Sequence, residues 1–232
     1  MKVCVVGNGA SALNNKNGKF IDTCDVVIRM KHFELDGYTD YVGSKTDIYS
    51  SRWFSWADAF RNMSEKWKDI IYGVSEYWFM FCDPYVSYTP DTQYVSNYIE
   101  HVFKNDVAEK DGDVSVHEKN ISKFNLSTEK IKYMPYNVIC ELAEELDLPT
   151  DIIRDKNNNI GIIEPSAGIR TLAMATDRFQ GDIYITGFDS FLNSSWYWDP
   201  AHPINQSCHC YVREHLYIKK LLTINRISSL DI

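Results

Sequence analysis

A chain of 232 residues, 14% of them aromatic, is long enough for one domain with a full core and a cleft. Its formal net charge of −8, with the lysines dispersed, excludes the basic stripe that a nucleic-acid binder needs to neutralise phosphates. No apolar run approaches the ~20 residues that cross a bilayer, and the six scattered cysteines, Cys208-His209-Cys210 included, make no zinc-site spacing.

Short β-rich runs alternate with helical patterns, which predicts an α/β fold: a single Rossmann-like domain over residues 1–232 with a mostly parallel sheet. The first predicted strand, Lys2–Gly7, breaks at Gly7-Asn8-Gly9. A buried strand ending in such a turn delivers backbone N–H groups to a ligand at the carboxyl edge of the sheet. Asn8 adds a side-chain amide there, and the absence of G-x-G-x-x-G spacing argues against a standard dinucleotide site. Strands at Asp25–Met30 and Asp47–Ser50 follow, then a helix at Trp56–Lys66, strands at Asp69–Gly73 and Trp78–Phe81, and a helix at Thr92–Phe103. The stretch Lys104–Lys130, dense in Asn, Asp, Glu, Lys and Ser, reads as a mobile insertion near 104–130, either a surface loop or a lid that orders over bound substrate. Within it lies Asp111-Gly112-Asp113, either a pair able to hold a divalent cation against a diphosphate or plain solvated charge. A strand at Lys130–Met134 and helices at Pro135–Leu146 and Ser166–Phe179 come next, with Ser166 as an N-cap whose following N–H groups face an anion. The strand Asp182–Gly187 and the helix His209–Ile224 complete the pattern; the helix carries Tyr211, Leu216, Ile218, Leu221 and Leu222 at helical spacing.

In order and spacing, Val3-Cys4-Val5-Val6-Gly7-Asn8, Ile21-Asp22, Asp25, Arg29-Met30, Gly37-Tyr38 and Val42-Gly43-Ser44-Lys45-Thr46 resemble the large sialyl motif of the animal-type sialyltransferases, glycosyltransferase family 29. Pro165-Ser166-Ala167-Gly168 with Ile183-Tyr184-Ile185-Thr186-Gly187-Phe188 resembles the small motif, and Trp196-Tyr197-Trp198 resembles the aromatic third one. His209 with Glu214 has the H-x-x-x-x-E form of the last. The likeness leaves roughly Ser50 to Gly161 unmatched. It implies a glycosyltransferase of GT-A-variant architecture that is inverting, uses a CMP-activated sugar donor and needs no metal. Three departures stand out. No cysteine lies near Gln180 to pair with Cys4 as the family usually does, which fits a reducing cytoplasm. Lys31 stands where the family has Asn, and Ala167 removes a hydroxyl from the small motif.

Transfer from a CMP-linked 2-keto sugar acid releases a monophosphate, whose charge hydrogen-bond donors and a helix N-terminus can meet without a cofactor. The acceptor hydroxyl must lose a proton, and His209 is the expected base: imidazole accepts near neutral pH, and the resemblance places the family's catalytic histidine there. Glu214 has an orienting or structural role, and His202 is the rival base or a donor to the leaving phosphate. The donor cradle is expected from Gly7, Asn8, Gly9, Ser166, Ala167 and Gly168, with Lys31 as a point charge. Tyr197 either contacts the donor or belongs to the small core of its own aromatic loop. Arg29 and Asp25 read as structural, paired with each other or with helix ends.

The resulting expectation is a soluble, cytoplasmic, bacterial-type enzyme moving sialic acid to a glycan or glycolipid acceptor such as a lipopolysaccharide or capsule precursor. Its membrane contact, if it has one, is peripheral, at the inner face. Three alternatives stay open: CMP-Kdo as donor, a metal-dependent diphosphate-sugar transferase, and a catalytically silent nucleotide-binding module.

Overall fold

A computed structural model of the chain describes residues 1–51, 65–81, 83, 96–97, 118, 121–122, 124–148, 153–154, 160–161, 164–189, 196–199 and 209–231. Near-continuous apolar runs, Lys-Val-Cys-Val-Val and Val-Val-Ile-Arg-Met, form the two central strands β1 (Lys2–Val6) and β2 (Val26–Met30). Their lack of alternation is what a parallel sheet covered on both faces requires, and fully burying each Val or Ile contributes about 1.5–3 kcal/mol. Outward from β2 lie β3 (Ile48–Ser51), β4 (Glu76–Phe79) and β5 (Ile131–Tyr133). A separate antiparallel pair is made by β6 (Ile153–Arg154) and β7 (Ile160–Gly161). On the other side of β1 stand β8 (Asp182–Thr186) and β9 (Ser228–Ser229), which complete a seven-stranded sheet of order β5-β4-β3-β2-β1-β8-β9. Every neighbouring pair in it is parallel. The α/β, Rossmann-like expectation holds.

This order puts a topological switch point at β1 and β8, because the chain runs outward from β1 to β5 and then returns to the opposite side. Ligands of such sheets bind beyond the strands' carboxyl ends at that point. The approach of the two strand ends is close: Gly7 N–H donates to Thr186 O at 2.8 Å and Gly9 N–H to Gly187 O at 2.9 Å. Any Cβ on Gly7 would lie 2.4 Å from Gly187 O, and Gly187 itself has φ +71°, so both positions demand glycine.

The described α-helices of four residues or more are α1 (Gly18–Asp22), α2 (Thr39–Val42), α3 (Glu65–Gly73), α4 (Tyr136–Glu145), α5 (Ala167–Arg178) and α6 (Tyr211–Thr223). Helix α5 packs on β1 and β2, with its residues from Ile169 to Ala175 all buried. Ser50 at the end of β3 and Thr171 in α5 share a buried hydroxyl hydrogen bond of 2.8 Å.

Most predicted elements appear with ends shifted by a residue or two. One does not: Asp69–Gly73, expected as a strand, is the end of helix α3. Ile71 and Val74 are buried three residues apart while Tyr72 is exposed, a helical rhythm that a short apolar run cannot reveal. Strand β9 was not expected, since Ser228-Ser229 carries no β signal, and neither were the short helices α1 and α2. Of the expected helix Trp56–Lys66 only Glu65 and Lys66 are described, both in α3; of Thr92–Phe103 only residues 96–97, both helical. Asp111 to Asp113 lie outside the described residues, whereas Phe124 and Leu126, nearer the end of the expected insertion, are buried in the core. Among the described residues Cys4, Cys24, Cys140 and Cys210 are free thiols, and a hydrogen bond that the Cys4 thiol donates to Cys24, together with burial, pushes the Cys4 thiol up. No described helix is long and apolar enough to cross a membrane.

Candidate active site

Three chain segments meet at the carboxyl edge. The turn after β1 is tied to β2 through Asn8, whose side-chain amide donates to Met30 O at 3.1 Å. Its backbone carbonyl accepts from Tyr197 N–H at 2.9 Å, and Gly9 bridges Trp196. The turn after β8 contributes Phe188, whose ring would lie 3.2 Å from a Cβ on Gly7 and 3.3 Å from one on Gly168. Gly7 and Gly168 therefore both abut the Phe188 ring, which brings the two expected cradle segments together. Lys31 follows β2 in the left-handed region at φ +52°, a conformation that a non-glycine residue holds only when its surroundings impose it. Its N–H donates to Ser50 O at 2.9 Å.

The third segment is the entry to α5. Ser166 is its N-cap, with Oγ accepting from Ile169 N–H at 3.3 Å. Two residues from the start of α6 grip this entry. His209 makes a 2.8 Å hydrogen bond from Nδ1 to Glu164 O, and Glu214 Oε1 accepts from Ser166 N–H at 2.7 Å. The H-x-x-x-x-E spacing thus clamps one short segment, 164–166, at its carbonyl and at its amide. No contact between His209 and Glu214 is needed. Because a carbonyl can only accept, Nδ1 must carry the proton, and the lone pair of neutral imidazole then sits on Nε2. Burial holds the imidazole down to about 4, aided by the charges of Lys31 and Arg170 and opposed by Glu164. His209 is accordingly uncharged at pH 7. Burial pushes the Glu214 carboxyl up, while the Ser166 hydrogen bonds, Arg170 and Lys31 pull it down.

Other expected residues do quieter work. The Tyr197 hydroxyl donates to Glu34 O at 2.6 Å and accepts from Glu34 N–H at 3.2 Å, and the ring meets Tyr38 edge-on at 5.2 Å. Tyr197 is buried, so it closes the core of the aromatic loop, and burial pushes its hydroxyl up to about 12. Trp198 packs against the tilted rings of Trp196 at 4.6 Å and His32 at 4.4 Å. Arg29, fully buried, donates to the carbonyls of Lys45 and Val42 and to Thr46 Oγ1. Asp22 accepts from Ser44 and Lys45 N–H, so the two residues fasten the Val42–Thr46 turn from both sides. Asp25 accepts from Lys2 N–H at 2.7 Å; the pairing of Asp25 with Arg29 weighed from sequence is not what holds either. His202 lies outside the described residues.

Sequence reasoning missed Glu164, Arg170, Asp189 and Asp231. Glu164 and Arg170 form a buried ion pair of 3.2 Å; the signal was a charged residue set among apolar ones in the Ile169-Arg170-Thr171-Leu172 run. Asp189 accepts from Ser11 N–H. Asp231 accepts from Ser11 Oγ, Thr186 Oγ1 and Gly187 N–H at 2.5–2.8 Å. Nothing in the Ser-Ser-Leu-Asp-Ile tail announces that role. Among the described residues no group of three or more His, Cys, Asp or Glu side chains is placed to hold a metal ion.

A family model described as glycosyltransferase family 29 (sialyltransferase) matches residues 1–225. No curated protein matches the chain. Among solved structures it is similar to the monofunctional α-2,3-sialyltransferase Cst-I from Campylobacter jejuni, at 18% identity over 99% of this chain and 75% of that one, with a TM-score of 0.56. It is similar to a mammalian sialyltransferase at 17% identity over 99% and 68%, TM-score 0.56. A third similar structure is the C. jejuni sialyltransferase CstII in complex with the substrate analogue CMP-3FNeuAc, at 13% identity over 99% and 81%, TM-score 0.55. Likeness at these identities establishes the fold.

Proposed function

The chain belongs to glycosyltransferase family 29, the sialyltransferases, and on that basis we propose that it moves a sialic acid from CMP-sialic acid to a glycan acceptor by a metal-independent, inverting displacement. The observation that carries this reading is the neutral, half-buried His209, held by its 2.8 Å hydrogen bond to Glu164 O on the entry to α5. In the proposed step Nε2 takes the proton of the acceptor hydroxyl while its oxygen bonds to the anomeric carbon. The bond from that carbon to the phosphate oxygen breaks, and CMP leaves with the electron pair. Lys31, Asn8 and the N–H groups at the start of α5 would meet the charge gathering on the phosphate. Support for the donor class comes from CstII, which was solved with CMP-3FNeuAc, and for a glycan acceptor from a mammalian sialyltransferase solved with Gal-beta-1-3GalNAc-ortho-nitrophenol. For this chain we take a lipopolysaccharide, lipo-oligosaccharide or capsule precursor as the acceptor.

A donor screen tests the proposal. In excess EDTA, CMP-sialic acid should be turned over in the presence of a galactoside acceptor, and UDP-sugars should not. Turnover of CMP-Kdo in its place would move the donor to the neighbouring ulosonic acid, and strict restoration of activity by manganese would point to a diphosphate-sugar enzyme.

Asn8→Ala should weaken CMP binding by about 1–3 kcal/mol, since it removes a polar contact from the cradle and the tie to Met30 O. Calorimetry with CMP measures it, and an unchanged affinity would remove Asn8 from the site. The pH dependence has a definite sign. A base whose folded value is lowered to about 4 stays deprotonated above that value, so kcat/KM, which reports the free enzyme, should keep its acid limb near pH 4. A limb at the ordinary histidine value of about 6.5 would contradict the neutral imidazole.

A further inference from the structure

We infer that Arg170 and Glu164 are positioning residues for His209: their buried ion pair fixes the Glu164 backbone, so that its carbonyl holds Nδ1–H and leaves the basic lone pair on Nε2. The inference rests on the reading of His209 as the base. Three observations converge on one residue. Glu164 uses its side chain to bind Arg170 at 3.2 Å and its carbonyl to bind His209 at 2.8 Å. Arg170 is itself anchored by donating to Met80 O, just past β4, at 3.3 Å. Both side chains are almost wholly shielded, at 2% and 7% exposure, and the following Pro165 restricts Glu164 to extended backbone. A carbonyl so pinned from the sheet and from α5 cannot rotate away from the imidazole without breaking a buried charge pair, whose partners are costly to separate.

The charged groups facing His209 are Lys31 from the end of β2, Arg170 from α5 and Glu164 from the segment before it. Two of the three are the proposed pair, so the pair also sets part of the field at the ring. Neither residue falls in the glycine, hydroxyl, aromatic or His–Glu positions that carry the motif resemblance.

The experiment compares the parent with Arg170→Met/Glu164→Met, in which both charges are removed together because an apolar replacement of a buried pair commonly preserves folding. The readouts are the imidazole 15N shifts of His209 and the separate kcat and KM for CMP-sialic acid. The parent should show a protonated Nδ1 and an unprotonated Nε2 at pH 7. In the double variant that single tautomer should be lost and kcat should fall about tenfold or more, part of the general-base contribution, with KM for the donor within about threefold of the parent. Arg170→Lys, which keeps the cation on Glu164, should retain the parent tautomer and most of the turnover.

Three results would overturn the inference: a parent spectrum with the proton on Nε2, a folded double variant that keeps both tautomer and kcat, or an Arg170→Lys variant as impaired as the double. His209→Ala run alongside separates the two claims. Full turnover in that variant defeats the base assignment, while the tautomer comparison still decides whether the ion pair orients the ring.

Discussion

His209→Ala is expected to fold, to bind CMP with near-parent affinity, and to lose transfer by about 10²–10⁴-fold, the usual contribution of a positioned general base. The size follows from the chemistry required at the acceptor. An unactivated sugar hydroxyl must shed its proton as it bonds to the anomeric carbon, and without an imidazole at that point water must take it. The deficit should appear in kcat, because an interaction made only in the transition state lowers kcat and kcat/KM together. Alanine also removes the hydrogen bond to Glu164 O, so thermal unfolding belongs in the same experiment. A Tm loss with normal turnover would make His209 a structural pin. His202→Ala is the control, expected to be the milder lesion; the reverse order would transfer the base role to it.

Glu214→Ala should be the second large effect, acting by another route. The carboxylate is 2% exposed and accepts from Ser166 N–H at 2.7 Å, so truncation strands a buried donor at a cost of about 1–3 kcal/mol and opens a cavity between the α6 and α5 helix starts. The entry to α5 then loses one of its two clamps. Both Tm and CMP affinity should drop, and kcat should fall with them as the Glu164 carbonyl loosens from His209. Glu214→Gln keeps an oxygen facing Ser166 N–H and should recover most of the stability. If glutamine restores the fold yet activity stays as low as in the alanine variant, the negative charge itself is required, and Glu214 acts on the reaction beyond clamping.

The central strands were legible because parallel strands buried on both faces must be apolar without interruption, as Val3 to Val6 and Val26 to Ile28 are. The two turns were legible for a related reason: only glycine fits where Gly7 meets Gly187, and Ser166 is among the side chains an N-cap prefers at the head of α5. What failed to show were features whose cause lies elsewhere in the chain. Ser228-Ser229 becomes a strand because β8 offers it an unpaired edge. Ile70-Ile71 looks equally like strand and helix until its burial rhythm is seen. The roles of Tyr197 and Glu214 depended on partners 163 and 48 residues away in sequence, which spacing alone cannot supply. Arg170 was visible as an oddity in an apolar helix, but its partner Glu164 was needed before the oddity acquired a role.

The most direct test of the proposed site is a crystal structure of the chain with CMP bound. The phosphate is expected within hydrogen-bonding distance of Asn8 or of the N–H groups that open α5, with Phe188 flanking it and the side that would carry the sugar turned toward His209 Nε2. Cytidine monophosphate seated away from both the Gly7–Gly9 turn and the Ser166–Gly168 turn, or with His209 on the far side of the nucleotide from the phosphate, would contradict it.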